Sequence, residues 1–194
     1  MDYNQVYSEL FSTKDYSIHS EDEFRYQVAS NFIKKNNIKN LIDIGSGRGV
    51  LLNLIKKENP NVEILSTDLD KFHEFNFEFK KINLSNRETY FYPKNKYDVL
   101  TCLDVLEHLE KDFIDDVFKW FSKISDSQIL TIANHSEILN GKEIHTIQED
   151  LSYWETIISN SLDIISKETK VFYHMGKPHY LYILITKSKL NNYE

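Results

Sequence analysis

The chain has 194 residues, 41% of them hydrophobic and 13% aromatic, which is enough for one hydrophobic core and calls for no second domain. Its formal charge of −7 argues against a phosphate backbone as the main partner, since surfaces that bind one are usually net basic, and favours a small ligand. The single cysteine, Cys102, excludes an internal disulfide and suits a reducing compartment.

The opening stretch "MDYNQVYSEL" has no basic segment followed by an apolar one, and no apolar run reaches the length of a membrane span, so a cytoplasmic protein is expected. Ser20 and Glu23 stand in capping-box spacing, and Phe24, Val28, Phe32 and Ile33 follow at helical intervals, predicting a helix over 21–36. "KNLIDI" reads as a strand, then comes a glycine turn, then a helix over 50–59 stopped by Pro60. "NVEILSTD" is a second strand. "FNFEFKKI" alternates Phe75, Phe77 and Phe79 and reads as a third, although its link to the second is too short for a crossover helix.

"YDVLTCLD" is nearly continuous in apolar residues, as in a central strand covered on both faces. A helix over 107–124 follows, with Leu109, Phe113, Val117, Trp120 and Phe121 along one stripe. "SQILTIA" is a fifth strand, 134–146 a loop, and 148–159 a helix in which Trp154, Ile157 and Ile158 share core spacing. Two β-rich segments, 162–175 and 179–187, close the chain as an antiparallel hairpin around Gly176 and Pro178. The pattern predicts an α/β fold, a mostly parallel sheet with an antiparallel edge and helices on both faces, within a single domain over 1–194.

The segment "LIDIGSGRGV" places Gly45, Gly47 and Gly49 directly between strand and helix. Glycines cost backbone entropy, so a ligand that approaches the turn and the helix N-terminus justifies them. The dinucleotide fingerprint requires a glycine at position 50, which is Val, and no Lys-Ser or Lys-Thr pair follows to cradle phosphate. A ligand with an adenosine and no phosphate remains. Asp68 lies 19 residues beyond Gly49, near the spacing at which an acidic side chain accepts both hydroxyls of a ribose; the alternative is a plain strand-end turn residue.

In these features the chain resembles the class I S-adenosylmethionine-dependent methyltransferases over roughly residues 39–186, leaving 1–38 as an N-terminal cap and 187–194 as a tail. The matching segments are "DIGSGRG", "STDLD", "INLSN" and "YDVLTCLDVLEHL", the last close to the form in ubiquinone-pathway O-methyltransferases. The resemblance implies a Rossmann-like seven-stranded sheet and S-adenosylmethionine as cofactor. It implies that Asp43, Gly45, Ser46, Gly47 and Gly49 hold the methionine part, that Asp68 binds the ribose, and that Leu69, Asn83 and Leu84 border the adenine. Leu103 and Asp104 would line the methyl-donor end.

Asp104, Glu107 and His108 are spaced i, i+3 and i+4, so one helical turn would present all three on one face at the end of the fourth strand. In the ubiquinone-pathway enzymes, and in the family that 2′-O-methylates small-RNA ends, a Glu-x-x-Glu-His version of this segment binds a divalent metal. The resemblance therefore offers Asp104, Glu107 and His108 as ligands for magnesium, zinc or manganese, with His145 as a further histidine. Without a metal, His108 or His145 is the candidate general base, since imidazole titrates near working pH. The plain alternative has Glu107 and His108 capping the helix. His135, His174 and His179 are less constrained by pattern, and His73 and His19 less still.

Methyl transfer from a sulfonium is an in-line displacement, so acceptor specificity belongs to segments that cover the cofactor: the N-terminal stretch with Tyr16, His19 and Arg25, the loop 134–148 and the turn "YHMGKPHY". Arg25 either pairs with the cofactor carboxylate or is a solvated helix residue. The expected activity is O-methylation of a small-molecule hydroxyl, on a sugar, phospho-glycan or phenol. Ribose 2′-O-methylation of an RNA 3′ end is the alternative, favoured by the metal-type set and disfavoured by the charge; a non-catalytic cofactor-binding subunit is another.

Overall fold

The computed structural model describes residues 20–72, 76–139, 141–174 and 176–189, with the side chains of 20–23 and of 174 left out. Tyr16, His19, His73, the Ser20/Glu23 capping pair and the last residues of the tail fall outside what is described. In chain order the elements are α1 (Ser20–Lys35), β1 (Asn40–Ile44), α2 (Val50–Glu58), β2 (Glu63–Asp68), β3 (Glu78–Lys81), β4 (Tyr97–Leu103), α3 (Lys111–Ile124) and β5 (Ser125–Asn134). Then follow β6 (Ile138–Leu139), β7 (Lys142–Glu143), α4 (Leu151–Ile158), β8 (Leu162–His174) and β9 (Lys177–Ser188).

Seven strands form one sheet in the order β3-β2-β1-β4-β5-β9-β8. The first five run parallel, and β9 is antiparallel to both β5 and β8. This is the mostly parallel sheet with an antiparallel edge that the alternation of strands and helices predicts, with the seven strands that the resemblance implies. The apolar run of β4 lies at its centre because both faces are covered: Val99, Leu100 and Cys102 are fully buried. On one face α3 and α4 pack Phe118, Trp120, Phe121 and Trp154 into the larger core, and Trp120 donates its indole N–H to the Phe91 carbonyl at 2.8 Å. Each such side chain withdrawn from water contributes roughly 1.5–3 kcal/mol. On the other face α1 and α2 bury Ala29, Ile33, Leu52 and Ile55, and Ser30 donates to Glu58 at 2.5 Å to tie the two helices.

Three boundaries differ from expectation, each for a local reason. Of the third strand expected over 75–82, Phe75 lies outside the described residues and β3 covers Glu78–Lys81 at the sheet edge, where β2 is its one partner among the described residues. The helix expected over 107–124 breaks in two. Leu106–His108 is a single 3₁₀ turn, Leu109 and Glu110 are extended, and α3 starts at Lys111. The loop 134–146 contains the small hairpin β6/β7, reversed near Gly141 at φ +76°. The chain leaves β1 toward β2 on one side, while β4 and β5 lie on the other. That reversal opens a crevice at the carboxyl ends of β1 and β4, where ligands bind in such sheets.

Candidate active site

The glycine turn rises from β1 into that crevice. Gly45 and Ser46 donate their N–H groups to the Thr67 carbonyl at 2.9 and 3.0 Å, so the turn is laced to the end of β2. Gly45 has φ +76°, and a Cβ there would sit 2.3 Å from Cγ2 of Val105; only a bare backbone admits the chain leaving β4. Gly49, at φ +69°, precedes the first residue of α2. Asp43 is 3% exposed and accepts the Thr101 hydroxyl at 2.6 Å; burial pushes its carboxyl up to about 6, against the hydrogen bonds from Thr101 and Ser46.

Asp68 closes the other side of the turn. Its carboxylate accepts the Gly47 N–H at 2.8 Å and the Leu69 N–H at 2.7 Å, and burial pushes its pKa up to about 6. Asp43, Gly45, Ser46, Gly47 and Asp68 are thus drawn together. Leu69 follows β2 half-exposed. Asn83 turns its side-chain oxygen to the Ser85 N–H at 2.9 Å, while Leu84 is 5% exposed and belongs to the core, its carbonyl accepting the Tyr90 hydroxyl at 2.7 Å. Leu103 is half-buried against the α1/α2 side.

Asp104 departs from expectation. Its φ is +53°, so the chain reverses at the end of β4 rather than entering a helix, and the shared face for Asp104, Glu107 and His108 does not form. The Asp104 carboxylate accepts the Thr131 hydroxyl at 2.9 Å and forms an ion pair with Arg25 of α1, whose side chain is 11% exposed. This corrects two readings. Asp104 is drawn away from the Glu107–His108 group, and Arg25 is paired with a carboxylate of the protein itself rather than solvated.

Glu107 and His108 instead meet His145. One donor atom from each lies within 4.8 Å of the others. Glu107 is fully buried and accepts the Ala133 N–H at 2.8 Å with one oxygen, while the other has no hydrogen-bond partner; burial raises its pKa. The His108 Nδ1 lies 3.0 Å from the Ile144 carbonyl, which fixes that nitrogen as the donor and leaves Nε2 as the basic one. Burial, then the neighbouring His145, lowers its pKa to about 4, so the ring is neutral at working pH.

The His145 Nδ1 lies 2.8 Å from the His135 carbonyl and its Nε2 2.9 Å from Glu137. Burial opposes charge on this ring, yet the Glu137 hydrogen bond and the carboxylates of Glu107 and Glu137 hold its pKa above the ordinary value. Both nitrogens of His145 are thus engaged, and the Nδ1 of His108 is committed to the Ile144 carbonyl. His135 and Glu137 were not singled out as site residues from the sequence, although Asn140-Gly141 is a hairpin signal that brings them opposite His145. His179 stacks on His135 with ring centroids 4.2 Å apart, joining the C-terminal hairpin to the cluster.

A sequence profile of the methyltransferase domain family matches residues 19–140. The chain belongs to this family. A search of curated protein sequences finds no match. Among solved structures, the methyltransferase is similar to the N-methyltransferase NodS from Bradyrhizobium japonicum WM9 in complex with S-adenosyl-L-homocysteine, with TM-score 0.71 and 10% identity over 96% of this chain and 98% of that one. It is similar to the N-terminal domain of EvdMO1 in the presence of S-adenosyl-L-homocysteine and D-fucose, with TM-score 0.62 and 11% identity over 97% and 98%. It also matches the methyltransferase domain of bacterial CtHen1-C, with TM-score 0.60 and 17% identity over 86% and 97%. These identities establish a shared fold, that of the class I S-adenosylmethionine-dependent methyltransferases. Among the described residues no helix is long and apolar enough to cross a membrane.

Proposed function

We propose that this methyltransferase moves a methyl group from S-adenosylmethionine to a hydroxyl of a small molecule, and that it stands closest to the ubiquinone-pathway O-methyltransferase-like group on the strength of its "LDVLEHL" segment. The observation that carries the acceptor reading is His108, an imidazole kept neutral by burial, whose Nδ1 is committed to the Ile144 carbonyl and whose Nε2 therefore carries the lone pair, just beyond the end of β4. A hydroxyl must lose its proton as it is methylated, which such a nitrogen serves. The acidic chain and the sugar present with EvdMO1 support a small, polar acceptor.

The donor set suits the cofactor. An acceptor-only carboxylate at the end of β2, Asp68, is held by two backbone N–H groups and has lone pairs left for vicinal hydroxyls. The turn through Gly45, Ser46, Gly47 and Gly49 exposes backbone to the methionine part, with Asp43 beneath it. Leu69 would pack on the adenine, Asn83 and Leu84 would border its pocket, and Leu103 and Asp104 would wall the methyl-donor end. When bound, the cofactor supplies a methyl group on a positively charged sulfur. The protein's task is to align acceptor oxygen, methyl and sulfur and to exclude water. Arg25, anchored on Asp104, brings α1 over that end.

A second reading is ribose 2′-O-methylation of an RNA end with a divalent ion on Glu107, His108 and His145. A carboxylate oxygen of Glu107 within 4.8 Å of two imidazole nitrogens favours it, as does a buried Glu107 oxygen with no hydrogen-bond partner. The charge of −7 opposes it.

The test is calorimetric titration of S-adenosylhomocysteine, followed by methyl-transfer assays on sugar, phenol and short RNA acceptors with and without added magnesium, manganese or zinc. Saturable binding that Asp68→Ala weakens by about 10- to 100-fold supports the cofactor reading, the loss expected of charged hydrogen bonds worth about 1–3 kcal/mol. Unchanged affinity in Asp68→Ala rejects the ribose assignment. Turnover of RNA alone overturns the small-molecule reading.

A further inference from the structure

We propose that the hairpin following β5 carries its own site for a borderline divalent ion of the zinc class, formed by His135, Glu137 and His145, and that the ion clips loop 134–148 in place. This inference is independent of the acceptor assignment above. One donor atom from each of the three residues lies within 4.8 Å of the others, and the Glu137 carboxylate is already 2.9 Å from the His145 Nε2. Two imidazoles and a carboxylate are the ligand types that zinc and its neighbours prefer over magnesium or calcium.

The residues are also arranged as ligands are. The His145 Nδ1 is 2.8 Å from a backbone carbonyl, the outer-shell contact that orients a coordinating imidazole and leaves Nε2 for the ion. The Nδ1 of His135 is buried with no hydrogen-bond partner. Glu143 acts from outside the set: its carboxylate accepts the N–H groups of Glu137 and His145 at 2.8 and 3.0 Å and so presets the distance between the two arms.

Such a clip would add to the hairpin's own short pairing. Its strands are two residues each, and an isolated pair that short is at best marginal in water. The alternative triad of Glu107, His108 and His145 shares one ligand but differs in access. Glu107 is 0% exposed, whereas the Glu137 side chain is 45% exposed and gives a hydrated ion a way in and a water a remaining coordination position.

The test uses the full chain, stripped of metal and titrated with Zn²⁺ by calorimetry and with Co²⁺ by visible absorption, while hydrogen exchange follows residues 135–145. One equivalent should bind and slow exchange across the hairpin. Glu137→Gln and His135→Ala should each weaken binding by more than about 100-fold, beyond the 10–100-fold range of outer-shell changes. Glu107→Gln should leave it unchanged. A cooperative thermal melt certifies the fold of each variant. S-adenosylhomocysteine titration on the same samples tests the cofactor reading separately. Absence of stoichiometric binding overturns the proposal, as does loss of binding in Glu107→Gln, which would place the ion on the other triad.

Discussion

The glycine turn after β1 and the histidine cluster beside β5 are built in opposite ways. The turn is local: Asp43 to Gly49 lie within seven consecutive positions, and its distant hydrogen-bond partners Thr67, Asp68 and Thr101 lie on the two strands flanking β1. The cluster is assembled from Glu107 and His108 in a 3₁₀ turn, from His135 and Glu137 after β5, from His145 beyond a hairpin and from His179 in β9. The turn presents mainly backbone and carboxylates; the cluster presents only side chains. A site made of backbone is written by glycines and strand ends, whereas a site made of side chains depends on where several loops settle.

That contrast predicts that chemistry and cofactor binding separate. His108→Asn keeps an N–H near the Ile144 carbonyl and removes the basic nitrogen. Methyl transfer should fall by roughly 10²–10⁴-fold with S-adenosylhomocysteine affinity unchanged, measured by single-turnover assay beside calorimetry. Equal loss of both would mean that the two regions act as one.

Gly45→Ala should do the reverse, striking fold and cofactor together. The added Cβ meets Val105 at 2.3 Å in a backbone conformation that disfavours side chains, so a stability loss of roughly 2–5 kcal/mol is expected in urea titration. Wild-type stability in that variant would show that the turn relaxes freely.

The acidic side of the turn sets a pH dependence. Asp43 and Asp68 have folded-state pKa values raised to about 6, above their ordinary 3.8. The folded protein therefore holds more protons than the unfolded chain between these values, and the stability of the free protein falls as pH rises through that window. Cofactor binding runs the other way, because ribose hydroxyls need the ionised Asp68. Affinity for S-adenosylhomocysteine should weaken by about tenfold per pH unit below about 6 and be flat above it. A titration flat from pH 7 to 5 would remove Asp68 from the ribose contact.

The smallest effect is expected at the seam between the regions. Arg25→Ala leaves the Asp104 carboxylate, 23% exposed, with the Thr131 hydroxyl as its remaining side-chain partner. About 1–2 kcal/mol of stability should be lost, since the pair is only partly buried. Thermal melting measures it, and a wild-type melting temperature would show that the pair contributes nothing.

The residue patterns by themselves determined the order of strands and helices, the glycine turn and the acidic strand end, because alternation and chain reversal depend on neighbours a few positions apart. The apolar run of β4 and the Trp154 stripe likewise encode burial directly, and Val99, Leu100, Cys102, Trp154 and Ile158 are fully enclosed. Tertiary structure decided the rest. The i, i+3, i+4 spacing suggested one face for Asp104, Glu107 and His108, but the positive φ at Asp104 and the pull of Thr131 and Arg25 turn that carboxylate away. Glu107 and His108 then meet His145, and His145 meets His135 and Glu137, through a hairpin whose strands are too short to leave a period-two signal. Local pattern specifies elements; which side chains share a site is set by how loops pack after those elements have formed.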